Sequence, residues 1–115
     1  MTLRLSPEIL ARAWDFLRET QPFKGWRCFP EAEDIGFAVI RDPSAYGDFS
    51  VDNHQPMVRV SERTIGHTVS LMSIMGHEMA HYRQWSLGKK ISHGRDFKAM
   101  QKAICAAHGF DPKVF

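Results

Sequence analysis

The chain has 115 residues, a mass of 13.2 kDa and a formal net charge of +2. This length suits one hydrophobic core, so we expect residues 1–115 to form a single domain. Hydrophobic residues (43%) and charged residues (24%) occur at ordinary globular levels, which excludes a wholly disordered chain. Only two cysteines are present, Cys28 and Cys105, which excludes a disulfide framework and a four-cysteine zinc ribbon.

The first predicted element is a helix from about Pro7 to Thr20. Ser6 suits the N-cap position and Pro7 the first helical position, because proline has no N–H to satisfy there. Apolar residues then recur at helical spacing as far as Leu17. Residues 22–34 are expected to form a loop whose aromatic side chains fold back onto the core.

Three short strands are predicted in the middle of the chain, at Ile35–Arg41, Asp48–Val51 and Met57–Ser61. Each run is apolar or alternating and is bounded by turn-forming residues. The segment Asp52–Pro56 is a strong turn signal between the second and third strands. We therefore expect a small antiparallel or mixed sheet of about three strands.

Two more helices complete the predicted α+β fold. The second is expected from about Thr68 to Trp85 and stops before Gly88. The third is expected from about Arg95 to His108, with Gly109 suited to the position just after the helix end. The predicted domain therefore has an N-terminal helix, a sheet of about three strands, a central helix and a C-terminal helix.

Charge is unevenly distributed along the chain. Residues 1–82 contain 8 Lys/Arg and 11 Asp/Glu, whereas residues 83–115 contain 7 Lys/Arg and 2 Asp/Glu. The basic C-terminal third fits either a solvated helix face or a surface for nucleic acid or another acidic partner. The N-terminus lacks the apolar core of a secretory signal, and the longest apolar stretch, Ile35–Ile40, is too short to span a bilayer. A cytoplasmic protein without membrane association is expected.

The strongest chemical signal is the pentapeptide His77-Glu78-Met79-Ala80-His81 on the second predicted helix. Residues four apart share one helix face and lie about 6 Å apart along the axis, so two imidazoles placed there can bind one metal ion. Glu78 is then placed to reach a water on the metal rather than the metal itself. A catalytic zinc site of this kind needs a third protein ligand.

Elimination narrows the search for that third ligand. A thermolysin-like site needs a downstream glutamate, and none follows Glu78. A metzincin needs glycine and histidine where this chain has Gln84 and Leu87. The remaining downstream candidates are His93, His108, Asp96 and Asp111.

His93 is the favoured third ligand, because it follows a turn signal and precedes the third helix, where the chain can return to the second. His108 lies about 20 Å further along that helix. Asp96 is the next candidate, either as a ligand or as an acceptor that fixes the tautomer of a ligand histidine; it also suits the first turn of the third helix. His67 is too far from His77 on a continuous helix, and nothing specific favours His54.

The sequence His77-Glu78-x-x-His81, followed after eleven residues by His93-Gly94-x-x-Phe97, resembles the SprT-like metalloprotease domain. The resemblance covers about residues 57–110. The family includes the Spartan proteases, which cut proteins crosslinked to DNA. Many relatives carry a cysteine-rich zinc subdomain or another DNA-binding region, and two cysteines cannot build the former. We therefore expect only the zincin-like catalytic core.

The resemblance implies that His77, His81 and His93 bind Zn²⁺ and that Glu78 is the catalytic acid/base. It predicts a zinc-dependent endopeptidase with a protein or peptide substrate, acting on DNA-associated proteins. Two alternatives stay open: a non-catalytic, zinc-stabilised module that binds nucleic acid or protein, and a metal-dependent hydrolase of a non-peptide bond.

Two features of substrate binding are also predicted. A substrate strand is expected to add to an exposed sheet edge at Met57–Ser61, because this strand leads into the active-site helix. Tyr82, His67 and Arg95 are candidates for a second donor to the oxyanion.

Overall fold

The structure, a computed structural model, describes residues 5–41, 46–62 and 68–115. Its α+β architecture confirms the predicted fold class and element order. The helices are α1 (Pro7–Arg18), α2 (Thr68–Ser86) and α3 (Arg95–His108), and the strands are β1 (Gly36–Ile40), β2 (Gly47–Asp52) and β3 (Gln55–Ser61). Two short 3₁₀ turns, Phe23–Gly25 and Ala32–Asp34, lie between α1 and β1.

Helix α1 begins as its sequence predicts. The Ser6 hydroxyl accepts a hydrogen bond from the Ile9 N–H at 3.3 Å, which satisfies one of the unpaired donors at the helix start. One face of the helix is buried in the core, through Leu10, Ala13, Trp14 and Leu17. The helix ends at Arg18, and the Thr20 hydroxyl donates to the Leu17 carbonyl at 2.6 Å. In the loop that follows, Phe23 and Phe29 are buried as expected.

The sheet has the order β1-β3-β2, with β1 parallel and β2 antiparallel to β3. Strands β2 and β3 are joined by the two-residue turn Asn53-His54, in which both residues have positive φ (51° and 63°). Positive φ at both central positions is the hairpin geometry whose twist matches that of the strands. The predicted turn is therefore confirmed.

Strand β3 lies at the centre of the sheet, which corrects the predicted substrate edge. Met57–Ser61 pairs with β1 on one side and with β2 on the other, so its backbone is already occupied. Within the described residues, β1 and β2 are the edge strands. The prediction was wrong because local alternation identifies a strand but not its neighbours.

Helix α2 contacts α1, α3 and β2, and so lies at the centre of the domain. Gly76 lies against α3, and a Cβ at this position would be 3.4 Å from the Ile104 Cγ2 atom, an ordinary van der Waals contact. The buried side chains of α2 are of two kinds: apolar (Leu71, Met75, Met79 and Ala80) and polar (Ser73, Glu78, His81 and Gln84).

Helix α3 ends at the glycine predicted for it. Gly109 has φ 74°, and its N–H donates to the Cys105 carbonyl at 2.8 Å. Phe97, Ile104 and Cys105 form the buried face of this helix. Of the helices in the described ranges, none is long and apolar enough to cross a membrane.

Candidate metal centre

Three histidine side chains converge at one point between α2 and the start of α3. The Nε2 atoms of His77 and His81 are 3.2 Å apart, and those of His81 and His93 are 3.1 Å apart. The third side of the triangle, from His93 Nε2 to His77 Nε2, is 3.2 Å. The helical spacing brings the first two rings together, and the loop before α3 returns the third to them.

This triangle fits a tetrahedral metal ion. Zinc–nitrogen bonds of about 2.0–2.1 Å separate two ligand atoms by about 3.3–3.4 Å in tetrahedral geometry, close to the spacing found here. Three imidazoles on one side also leave a fourth position open. Of the histidine, cysteine and carboxylate side chains in the described ranges, those of His77, His81 and His93 are placed together so that they could hold one ion.

The outer nitrogens of His77 and His81 have oxygen partners. His77 Nδ1 lies 2.8 Å from the main-chain oxygen of Phe115, and His81 Nδ1 lies 2.9 Å from Gln84 Oε1. An oxygen acceptor at Nδ1 requires the hydrogen on Nδ1 in the neutral ring, which leaves a lone pair on Nε2. Two lone pairs therefore face each other across 3.2 Å, an arrangement that a cation between them stabilises.

The two histidines of α2 are held in the neutral form that binds metal. Burial lowers the pKa of His77 to about 4, with a further contribution from the nearby His81. Burial also lowers the pKa of His81, although its hydrogen bond with Gln84 opposes the change. Neutral imidazoles need not lose a proton before they bind a metal at neutral pH.

Phe97 forms an apolar floor beneath the three histidines. Its ring centroid lies 4.8 Å from that of each of the three imidazoles, and the side chain is 2% exposed. An apolar surface behind a metal site excludes water from that side and strengthens electrostatic interactions within it. The position is the last of the His93-Gly94-x-x-Phe97 motif, so its packing accounts for that part of the pattern.

Glu78 lies next to His77 on the same helix and is 3% exposed. Burial raises the pKa of its carboxyl to about 8, and the negative charge of Asp48 on β2 adds to the increase. A carboxyl group with a pKa near neutrality, beside a cluster of metal-binding side chains, is typical of a general acid/base.

A cleft of about 110 Å³ opens beside His77 and Glu78. Its walls come from the start of β2, from α2 and from the C-terminal segment, through Tyr46, Gly47, Ser73, Ile74, Val114 and Phe115. An adjoining cavity of about 210 Å³ shares several of these residues and extends to Ser70. The carboxyl group and one of the three histidines therefore border a space at the start of the edge strand β2.

Comparison with known proteins decides the family. A model of the SprT-like family matches residues 27–115, which include the whole sheet, both later helices and every residue of the histidine cluster. The chain belongs to the SprT-like family. No curated protein and no solved structure matched the chain in the corresponding searches.

In this SprT-like domain, several other residues considered from the sequence lie elsewhere. His54 is in the hairpin turn, and His108 Nε2 lies 2.9 Å from the Thr20 hydroxyl. Tyr82 packs among Trp14, Phe29, Phe49 and Trp85, in an aromatic cluster apart from the histidines. Arg95 and Asp111 are exposed, and His67 lies outside the described residues.

Asp96 does not contact a histidine directly, so of its two predicted roles the structure shows the acid in the first turn of α3. Its Oδ2 atom accepts a hydrogen bond from Gln84 Nε2 at 3.1 Å, which is the largest cause of its lowered pKa. Gln84 in turn contacts His81. The acceptor of the His81 ring proton is therefore an amide oxygen, and the carboxylate lies one hydrogen bond further away.

Sequence reasoning missed Gln84 and Phe115 as partners of the histidines. Gln84 is three residues after His81, a spacing at which helical side chains meet, so a signal for it was present. The main-chain oxygen of Phe115 is separated from His77 by 38 positions, and no local pattern indicates that contact.

Proposed function

We propose that this SprT-like domain is a zinc-dependent endopeptidase. The observation that supports it most strongly is the convergence of three Nε2 atoms, 3.1–3.2 Å apart, beside a buried glutamic acid that borders a cleft. His77, His81 and His93 are the proposed ligands. The set of three neutral imidazoles favours zinc over the harder magnesium and calcium ions, which prefer oxygen ligands.

Glu78 is the proposed catalytic acid/base. When bound, the zinc ion supplies a Lewis acid that makes water more acidic and polarises a carbonyl group. Glu78 accepts the proton of the attacking water at its carboxylate and then delivers it to the nitrogen of the leaving amine. This role requires the Glu78 carboxylate to be ionised. The positive charge of a bound metal favours that form, whereas without metal the buried carboxyl group keeps its proton.

The substrate is proposed to bind along β2. Within the described residues this strand is an edge of the sheet, and Gly47 at its start borders the same cleft as Glu78. An extended peptide that pairs with the backbone of β2 would pass its carbonyl groups close to Glu78. This replaces Met57–Ser61 as the proposed docking strand and retains the mode of binding.

We propose a DNA-associated protein as the substrate, which the resemblance to the Spartan proteases and the basic C-terminal third support. Six basic side chains after the end of α2 are exposed: Lys89, Lys90, Arg95, Lys98, Lys102 and Lys113. Exposed cations on one segment attract nucleic acid through its phosphates. A cytoplasmic location remains part of the proposal.

The test is cleavage of an unfolded protein substrate by the zinc-loaded protein, with and without single-stranded DNA. Glu78→Gln should reduce cleavage by at least about 100-fold because it removes the proton acceptor, while zinc content stays at one ion per chain. Glu33→Gln makes the same chemical change at an exposed position and should leave cleavage unaltered.

The alternatives give different results in that experiment. A zinc-stabilised binding module would hold zinc and bind a partner without cleaving protein. A hydrolase of another bond would cleave no protein but would lose its own activity in Glu78→Gln. Cleavage at the parental rate by Glu78→Gln, or a purified protein that binds no zinc, would refute the endopeptidase.

A further inference from the structure

We propose that Gln84 is a positioning residue that links two of the three metal ligands. It sets the tautomer of His81 on α2 and holds the loop that carries His93, so that metal affinity depends on a side chain that does not touch the metal. The inference rests on the metal centre of the proposed function, but not on peptide cleavage.

The Gln84 amide uses its full hydrogen-bonding capacity. Its Oε1 lies 2.9 Å from His81 Nδ1 and accepts from the Ser92 N–H at 3.2 Å. Its Nε2 donates to the Ser92 carbonyl at 3.0 Å and to Asp96 Oδ2 at 3.1 Å. A primary amide has two hydrogens and two acceptor lone pairs, so all four are engaged.

These contacts determine which way the amide faces. The two partners of Nε2 are oxygen atoms, a carbonyl and a carboxylate, and neither can donate a hydrogen to an amide oxygen. Reversing the amide would place Oε1 against both of them. The Gln84 oxygen is therefore fixed toward His81.

The fixed amide in turn determines the tautomer of His81. An acceptor 2.9 Å from Nδ1 requires the hydrogen on that nitrogen, and the Nε2 lone pair is then directed toward His77 and His93. Partners of this kind orient ligand histidines in metal sites generally. Asp96 therefore acts on His81 through Gln84.

The same amide anchors the loop before α3. Both the N–H and the carbonyl of Ser92 pair with the Gln84 side chain, and Ser92 directly precedes His93. Gln84 is 0% exposed, and its loss would remove the side-chain partner of both main-chain groups of Ser92. One residue thus couples a ligand on a helix to a ligand on a loop.

Two substitutions distinguish the contact of Gln84 with His81 from its contact with Ser92. Gln84→Leu removes both, and we expect it to weaken zinc binding by about 10- to 100-fold in a competition titration with a chelating dye. Gln84→Glu keeps an acceptor for the His81 ring but loses the donors to Ser92 and Asp96. It should weaken zinc binding less than Gln84→Leu.

The second readout is the side-chain ¹⁵N spectrum of the zinc-free protein at pH 7.5. The parent and Gln84→Glu should show His81 with its hydrogen on Nδ1, whereas Gln84→Leu should show a mixture of tautomers. Ile104→Val, a buried change on α3, is the control: it should lower the melting temperature and leave both the zinc affinity and the His81 tautomer unchanged.

Folded Gln84→Leu protein with parental zinc affinity, or with an unchanged His81 tautomer, would overturn the proposal. If Gln84→Leu does not fold, zinc affinity is measured for Gln84→Glu alone. A Gln84→Glu variant that binds zinc as tightly as the parent would show that Gln84 does not anchor His93. The tautomer is measured without metal or substrate, so its result does not depend on peptide cleavage. Failure of the Gln84 proposal can therefore be distinguished from failure of the proposed endopeptidase.

Discussion

The two buried sides of α2 differ in what they contribute to the domain. One side is apolar, with Met75 and Met79 fully buried in the core formed with α1 and the sheet. The other is polar, with His81, Gln84 and Glu78 each less than a tenth exposed. By contrast, helix α1 buries a single apolar face and presents the rest to solvent.

This difference separates buried side chains that stabilise the fold from buried side chains that destabilise it. Burial of a methionine stabilises the fold by removing apolar surface from water. Burial of a carboxyl or an imidazole costs free energy, and the altered pKa values of Glu78 and His77 record that cost. We expect α2 to keep such groups inside for a bound metal and a reaction, and four predictions test this division.

The largest effect is expected from removing a ligand on the polar side. His81→Ala should weaken zinc binding by more than about 100-fold, because loss of a direct ligand exceeds the loss of its hydrogen-bonding partner. His108→Ala is the matched control, since that histidine contacts Thr20 instead. Competition titration measures both, and equal zinc affinity for the two variants would rule out the site.

The next effect belongs to the apolar side. Met79→Ala should lower the free energy of unfolding by about 2–5 kcal/mol, because it leaves a cavity in the core. Its folded form should bind zinc as the parent does. Chemical denaturation and zinc titration below the transition measure the two quantities. A loss of zinc affinity as large as that of His81→Ala would show that the two sides are not separable.

The polar side also illustrates what sequence alone can and cannot reveal. His77, Glu78 and His81 are close in sequence, so helical geometry predicts their shared face without any tertiary information. His93 followed from elimination and from its place before α3. The structure brings the three histidines together, because the loop between α2 and α3 returns the chain to α2 at His93.

Contacts between distant segments were not predictable in the same way. The parallel pairing of β1 with β3 joins segments separated by the intervening strand β2, and it is this pairing that makes β3 central. Phe115 reaches His77 across 38 positions. Periodicity reports which face of an element is buried, but it does not report which element covers that face.

A third prediction concerns the cost of burying Glu78 in zinc-free protein. Its pKa is about 8 in the folded state against 4.5 in the unfolded chain, so the folded state retains the proton and loses stability as pH rises from about 4.5 to 8. Glutamine does not titrate. Glu78→Gln should therefore be more stable than the parent by about 3 kcal/mol at pH 7 and nearly equal to it near pH 4.

Denaturation in the presence of a chelator, at a series of pH values, measures this difference. Glu33→Gln, at an exposed position, should show no such dependence on pH. Parent and Glu78→Gln curves that remain parallel from pH 4 to pH 8 would mean that Glu78 is not a buried acid. The polar side of α2 would then carry no stability cost at this position.

The smallest effect is expected from Asp96, which lies at the start of α3 and contacts the polar side of α2 through Gln84. Asp96→Asn keeps an oxygen that can accept from Gln84 Nε2 but removes the negative charge, so the amide should still face His81. Zinc affinity should fall by less than about tenfold, below the effect of Gln84→Leu. A loss of zinc affinity equal to that of Gln84→Leu would mean that Ser92 alone cannot orient the Gln84 amide. The negative charge of Asp96 would then be required for that orientation.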